Sequence, residues 1–390
     1  MIRTIQIPAS KSISNRLLIL QALFENISIQ NLATAQDTIV LQNALNNLDS
    51  TQINIGHAGT AMRFLTAFLS IQEGKTFVLD GSSRMRQRPI GILVDALRQI
   101  GATIDYIEAE GYPPLQITGQ KLEKNSITID ASVSSQYISA LLLIGAALPK
   151  GININLEGKN VSKPYILMTL SLLNQLEIET EISKNKIVVL PQKSIRKKKF
   201  IIESDWSSAS YFYAKMAVSQ EKEMYLKYYW QDSLQGDSQL VGIFEKLGVK
   251  TAFLADHTIK LSKIPDFSLA QKLSFDLLQM PDIAQTLAVT CLALQIDCNL
   301  YGLQTLRIKE TDRLLALKTE IEKLGTTVII DDDSLQLINK GKLKNNISIA
   351  TYEDHRMAMS FAVLQEIVRI EIENKDVVKK SFPNFWELFD

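Results

Sequence analysis

The sequence predicts an α/β protein assembled from a recurring strand, helix and hairpin, and three observations carry that prediction. Four helical stretches close alike, at Leu97-Arg98-Gln99-Ile100-Gly101, Leu173-Asn174-Gln175-Leu176-Glu177, Phe244-Glu245-Lys246-Leu247-Gly248 and Ile321-Glu322-Lys323-Leu324-Gly325. Their closing positions lie 76, 71 and 77 residues apart, a spacing regular enough for a structural repeat. Each is followed by an alternating strand, a polar turn and a second strand, such as Thr326 to Ile330, Asp331-Asp332-Asp333 and Leu335 to Ile338. Three of the four closures are glycines, which take the left-handed helix cap freely. Sheets covering helices would bury such units in layers.

The elements follow in order along 390 residues, a length that suits two or three domains. The start, Met1 to Pro8, lacks the apolar core and cleavage site of a signal peptide, so a cytoplasmic protein is expected. Helices are predicted over Ser12 to Phe24, Thr60 to Ser70 and Pro89 to Ile100. A fifth relative of the repeat ends at Leu45-Asn46-Asn47-Leu48-Asp49, only 52 residues before Gly101, as if its hairpin were missing. Tyr137 to Leu148 is too short to span a bilayer and reads as a buried helix. The basic run Arg196-Lys197-Lys198-Lys199 reads as a solvated linker at a domain junction. Beyond it, helices are expected over Ile283 to Leu294, up to Leu324, and over Arg356 to Ile367. The two cysteines, Cys291 and Cys298, are seven residues apart and would share one buried helical face. A disulfide framework is excluded.

Composition removes whole classes of function. Lys and Arg number 42 and so do Asp and Glu, which argues against a chain whose main task is to grip nucleic acid or an anionic membrane. No Gly-x-Gly-x-x-Gly, Walker loop, His-Glu-x-x-His or Gly-x-Ser-x-Gly occurs, and only His57, His257 and His355 are present. Metal, nucleotide cofactor and covalent serine chemistry therefore lack candidates.

The helix beginnings break an electrostatic rule. Acids belong in the first turn, yet Lys11 and Arg16 open one helix and Arg63 lies near the start of another. Arg84, Arg86 and Arg88 precede Pro89, Lys309 and Arg313 flank a third start, and Arg356 opens a fourth. Ser134-Ser135-Gln136 and Ser162-Lys163-Pro164 offer hydroxyls at two more. Helix N-termini, hydroxyls and cations together make anion sites, and the total implies ligands with at least two phosphate or carboxylate groups. Asp282, Glu310 and Asp354 stand among these cations, where a carboxylate stays ionised and suits a general base; helix capping is the alternative for each.

These residues fall into motifs. Pro8-Ala9-Ser10-Lys11-Ser12-Ile13-Ser14-Asn15-Arg16, His57-Ala58-Gly59-Thr60-Ala61-Met62-Arg63, Arg84-Met85-Arg86-Gln87-Arg88-Pro89 and Lys309-Glu310-Thr311-Asp312-Arg313-Leu314 closely resemble the EPSP synthase family, the 3-phosphoshikimate 1-carboxyvinyltransferases. Ser134-Ser135-Gln136, Ser162-Lys163-Pro164-Tyr165, Ser207-Ser208-Ala209-Ser210-Tyr211, Pro281-Asp282 and Asp354-His355-Arg356-Met357 continue the series, and the resemblance spans Pro8 to Pro383.

The resemblance implies an inverse α/β barrel fold of two domains, each of three repeats, with helix N-termini converging on an interdomain cleft. One domain would span residues 10–202 and the other 1–9 plus 203–390, with hinges near Pro8 to Ser10 and Ile202 to Asp205 and closure on substrate. It implies transfer of the enolpyruvyl group of phosphoenolpyruvate to the 5-hydroxyl of shikimate 3-phosphate, releasing phosphate, by a cytoplasmic monomer without cofactor or metal. Lys11, Ser12, Arg16, Ser134, Ser135, Gln136, Ser162 and Tyr165 would hold shikimate 3-phosphate, with Asp282 at its hydroxyl and Lys309 near its phosphate. Lys11, Gly59, Arg88, Gln136, Arg313, Arg356 and Lys380 would hold phosphoenolpyruvate. Asp282 would be the base and Glu310 the acid that protonates the methylene carbon, assisted by Lys11.

The chain departs from the family pattern at His57 and Thr305, where asparagines are usual, and it is short in the N-terminal strand and in the first hairpin. Two other readings stand beside this one. A UDP-N-acetylglucosamine enolpyruvyl transferase would usually carry a cysteine in the loop that here runs Arg84 to Arg88. A non-catalytic polyanion binder would have no use for Asp282 and Glu310 among its cations.

Overall fold

The computed structural model describes residues 3–130, 134–158 and 163–389. The chain divides into two compact units, Ser10–Ile202 and Met1–Ala9 with Glu203–Asp390. No helix among the described residues is long and apolar enough to cross a membrane.

The unit Ser10–Ile202 holds α1 (Lys11–Leu23), α2 (Gln36–Asn46), α3 (Gly59–Leu69), α4 (Gly91–Gln99), α5 (Ser135–Gly145) and α6 (Lys163–Gln175). Around them lie two four-stranded sheets of identical plan. In one, Gln52–Asn54 runs parallel to Thr76–Asp80, with α3 as the crossover a parallel pair requires. After α4 the hairpin Thr103–Tyr106 and Leu115–Thr118 adds antiparallel to Thr76–Asp80. The other repeats this with Ser126–Asp130, α5, Ile152–Glu157, α6 and the hairpin Thr180–Ile182 with Lys186–Val189. A third sheet has only the parallel pair Ile27–Gln30 and Lys198–Ile201.

The burial pattern explains why helices lie inside and sheets outside. Ser126–Asp130 alternates exposed and buried, so it has one face for the core and one for water. In α5 every residue from Tyr137 to Gly145 is buried, and in α3 all but Thr60. Helices apolar all round must be enclosed by other elements.

The second unit has α7 (Trp206–Val218), α8 (Leu240–Glu245), α9 (Ala284–Ala293), α10 (Arg313–Lys323), α11 (His355–Ala362) and α12 (Phe385–Phe389). The plan recurs: Arg3–Ile5 pairs parallel with Glu223–Lys227, and Val249–Phe253 with Thr258–Lys263 supplies the hairpin. Lys272–Asp276, Asp297–Tyr301, Thr327–Ile330 and Leu335–Ile338 form the next sheet in the same way. The last is a bare parallel pair, Ile347–Ile349 with Ile370–Ile372. That sixth unit has neither the hairpin nor the glycine closure that mark repeats in the sequence. The four closures found in the sequence hold positive φ: 104° at Gly101, 60° at Glu177, 86° at Gly248 and 96° at Gly325. Near residue 203 the chain returns beside its own start, where Ala9 and Ser204 form an isolated bridge and the Asp205 amide donates to the Pro8 carbonyl at 3.0 Å.

Two expectations are corrected. Arg196 to Lys199 is not wholly a linker, because Lys198 and Lys199 open the strand Lys198–Ile201, their exposed side chains lying on its wet positions. Cys291 and Cys298 are both buried, but only Cys291 is helical; Cys298 lies on the strand Asp297–Tyr301, since α9 stops at Ala293 and Gln295 takes a φ of 57°. The Cys291 thiol is pushed well up by its hydrogen bond to Cys298 and by burial, which leaves it unreactive.

Because α5 is enclosed, truncating Leu142, which has no exposed surface, leaves a cavity in the unit Ser10–Ile202. Leu142→Ala should destabilise that unit by about 2–5 kcal/mol. Hydrogen exchange read by mass spectrometry should quicken in peptides covering α3, α5 and α6; unchanged protection there would contradict the central place given to α5.

Candidate active site

Most helix starts in the unit Ser10–Ile202 have no acid in their first turn. Among its six helices only α2 carries an acid in its first turn, Asp37, and that carboxylate pairs with Lys11 Nζ at 3.0 Å. Arg16 is buried on α1, and its partners are neutral. Its Nε donates to Thr169 Oγ1 at 2.8 Å, Nη1 to the Ser12 carbonyl at 2.9 Å, and Nη2 to Ser139 Oγ at 2.9 Å and the Tyr165 carbonyl at 3.3 Å. The rings of Phe64 and Tyr165 lie 5.5 and 5.9 Å from the guanidinium carbon. Burial lowers its pKa to about 10, which still leaves it charged near neutrality. No carboxylate among the described residues balances that charge, so the setting favours an anion.

Nearby starts converge on the same region. Ser134 caps α5 through the Gln136 amide, Ser135 is buried, and Gln136 Nε2 donates to Thr60 Oγ1 at 3.3 Å, tying α5 to the start of α3. Gly59 opens α3 with the Arg88 guanidinium against it. A Cβ built there would lie 2.6 Å from Arg88 Nη1 and 2.9 Å from Nη2, so any larger residue must push Arg88 aside. Arg63 Nη2 and the Tyr137 hydroxyl both donate to the Pro89 carbonyl, at 2.8 and 2.7 Å, fixing the backbone that carries Arg88. Arg86 is instead engaged by Asp80 and Glu108. Ser162 lies outside the described residues.

In the second unit, cations and acids interlock. Arg313, at the start of α10 and 1% exposed, donates from Nε to Asp354 Oδ2 at 2.6 Å, from Nη1 to Asp282 Oδ1 at 3.1 Å and from Nη2 to Glu310 Oε2 at 2.9 Å. Burial alone would lower its pKa, but Asp354, Glu310 and Asp282 together drive it upwards. Asp282 also faces Arg356 Nη2 at 3.2 Å and Lys309 Nζ at 3.7 Å. Lys380 Nζ reaches the Glu353 carbonyl at 2.7 Å.

The capping alternative separates the three acids. Asp354 does cap α11, accepting from the Arg356 amide at 2.8 Å, whereas α10 is capped by Asp312 and the Glu310 carboxylate meets Arg313 instead. Asp282 sits in the short turn Pro281–Ile283, the residues flanking α9 make no side-chain cap, and its carboxylate is turned to Arg313, Arg356 and Lys309. Such a carboxylate is poised to accept a proton from a polarised hydroxyl.

Several neighbours were invisible to pattern reading. Thr169 and Ser139 reach Arg16 only because α1, α5 and α6 pack together. Asp237 is buried, hydrogen-bonded to Ser207 Oγ, and raised to about 7 by burial and by Asp282. The unremarkable run Gln235-Gly236-Asp237 carries no signal for it.

The arrangement suits proton transfer between polyanionic reactants, and comparison with known proteins names it. The family model described as EPSP synthase (3-phosphoshikimate 1-carboxyvinyltransferase) matches residues 42–389. A 3-phosphoshikimate 1-carboxyvinyltransferase of Bacteroides fragilis is 43% identical over 388 residues, 98% of this chain and 93% of that protein. One from Vibrio cholerae is 35% identical, covering 99% and 95%. Among solved structures, EPSP synthase from Acinetobacter baumannii superposes with a TM-score of 0.76 at 21% identity, covering 99% of this chain and 94% of that one. The enolpyruvyl transferase NikO from Streptomyces tendae gives 0.74 at 14%, covering 99% and 93%. These two show the fold; the family match and the curated relatives show that the chain belongs to the EPSP synthase family.

Proposed function

We propose the following division of labour for the transfer of the enolpyruvyl group from phosphoenolpyruvate to shikimate 3-phosphate, the reaction of this family. Lys11, Ser12, Arg16, Ser134, Ser135, Gln136, Ser162 and Tyr165 hold shikimate 3-phosphate, with Lys309 near its phosphate. Arg16 supports this, because among the described residues its buried charge faces hydroxyls, carbonyls and rings. Gly59, Arg88, Arg313, Arg356 and Lys380 hold phosphoenolpyruvate together with Lys11 and Gln136. Arg88 lies where Gly59 leaves room for it.

Asp282 takes the proton of the 5-hydroxyl as its oxygen bonds to C2 of phosphoenolpyruvate. Glu310, assisted by Lys11, gives a proton to C3, turning the methylene into a methyl. The side chain of Glu310 is a quarter exposed, so solvent can supply that proton. In the second half the methyl returns a proton to Glu310, the C2–O bond to phosphate breaks, and the proton held by Asp282 leaves with the phosphate. Atoms and charge balance without a redox partner. The observation that carries this reading is the single guanidinium of Arg313 holding Asp282 through one nitrogen and Glu310 through another, which fixes base and acid in one frame. Beside Asp282, Asp237 is raised to about 7 by its burial and by the Asp282 carboxylate, so it shares a proton with solvent near neutrality.

Phosphate release assayed with both substrates, and with each alone, tests the reaction; release must require both. Asp282→Asn should bind both substrates yet lose about 10²- to 10⁴-fold in kcat, the usual contribution of a general base. A kcat within threefold of the parent would demote Asp282 to an ion-pair partner. Arg356→Lys should raise the KM for phosphoenolpyruvate about tenfold or more, because an ammonium cannot reproduce a bidentate fork; an unchanged KM in a folded variant removes Arg356 from that role.

The raised Asp237 also shapes stability. Its pKa is higher folded than the ordinary value of 3.8, so the folded state binds this proton more tightly. That contribution is present at low pH and is lost as pH rises through about 7. Asp237→Asn should flatten the fall of melting temperature between about pH 4 and pH 7; parallel curves for parent and variant would contradict the assignment.

A further inference from the structure

Just ahead of α11, two successive residues that carry a Cβ, Tyr352 and Glu353, hold φ of 54° and 55°. Side chains make that left-handed region costly, and a pair of such residues persists only where the surroundings hold it. The next residues are Asp354, His355 and Arg356, so the strain lies at the entrance to the candidate site.

The restraint comes from a carboxylate that has no part in the chemistry above. Glu320, wholly buried on α10, accepts the Tyr352 hydroxyl on Oε1 at 2.6 Å. Its Oε2 accepts the Ala350 amide at 3.1 Å and Lys323 Nζ at 2.6 Å. Burial and the Glu320 carboxylate raise the Tyr352 phenol to about 12, which keeps its proton in that bond at any working pH. On the other side Asn374 Nδ2 donates to Glu353 Oε1 at 2.8 Å, and the Glu353 carbonyl accepts Lys380 Nζ at 2.7 Å. Glu320 lies seven residues, two turns, along α10 from Arg313, whose guanidinium grips Asp354. One helix therefore clamps the loop at both ends.

We propose that Glu320 and Tyr352 are positioning residues for phosphoenolpyruvate: their hydrogen bond holds the strained 350–353 segment so that Arg356 and Lys380 meet the ligand in one fixed geometry. The inference rests on the reading that those two cations bind phosphoenolpyruvate. Neither Glu320 nor Tyr352 touches reacting atoms. Their effect passes through the backbone of Glu353, which presents its carbonyl to Lys380, and through the start of α11.

Steady-state kinetics on Tyr352→Phe tests this, since the change removes one hydroxyl and leaves the ring. The KM for phosphoenolpyruvate should rise about 5- to 20-fold while that for shikimate 3-phosphate stays within twofold. Glu320→Gln, which leaves one acceptor oxygen where the phenol, the Ala350 amide and Lys323 share two, should act in the same direction. A Tyr352→Phe enzyme with a lowered melting temperature and an unchanged KM for phosphoenolpyruvate would make the contact merely structural and overturn the proposal. So would an equal rise in both KM values. Arg356→Lys run alongside separates the two layers: a raised KM there with an unchanged one in Tyr352→Phe sinks the latch alone, whereas no change in Arg356→Lys sinks the reading beneath it.

Discussion

Arg313 is the constraint on which the second unit's site depends. A guanidinium with almost no exposed surface is costly without counter-charge, and three carboxylates supply it here, each from a different piece of chain: Asp282 before α9, Glu310 before α10 and Asp354 at the cap of α11. Removing one partner from such a buried set leaves uncompensated charge and typically costs about 3–5 kcal/mol. The network therefore locks three helix starts in register while it aims the candidate base and acid. Its rigid planar fork does what a lysine could not.

The other unit solves the opposite problem. Arg16 is as deeply buried as Arg313 but meets hydroxyls, carbonyls and rings instead of carboxylates, and burial pulls its pKa down where Arg313 is driven up. One guanidinium has carboxylates around it; the other has none among the described residues. The same contrast marks their neighbours, since Asp282 collects Arg356 and Lys309 while Gly59 yields its space to Arg88. An enzyme that brings two anions together needs both kinds of cation.

Much of this was legible in the sequence because repeats leave local marks. Four closures with positive φ, each followed by a hairpin, made the sheets readable, and basic residues at helix starts pointed to candidate anion sites. The missed sixth unit has no hairpin, and Cys298 was placed on a helix because the positive φ of Gln295, which turns the chain from α9 into a strand, sits on a residue with no turn signature. Asp237, Thr169 and Glu320 were out of reach for a different reason. Their partners lie 30, 153 and 32 residues away, and only packing brings them together.

One guanidinium, Arg313, holds the candidate base and acid of the second unit together. The most direct measurement is the kcat of Arg313→Lys in the two-substrate phosphate-release assay, on protein whose circular dichroism matches the parent. A point charge in place of the fork keeps the cation but cannot hold Asp282, Glu310 and Asp354 at once, so kcat should fall at least about a hundredfold, roughly 2.7 kcal/mol of barrier. A folded Arg313→Lys enzyme turning over within threefold of the parent would show that base and acid are aimed by something other than Arg313.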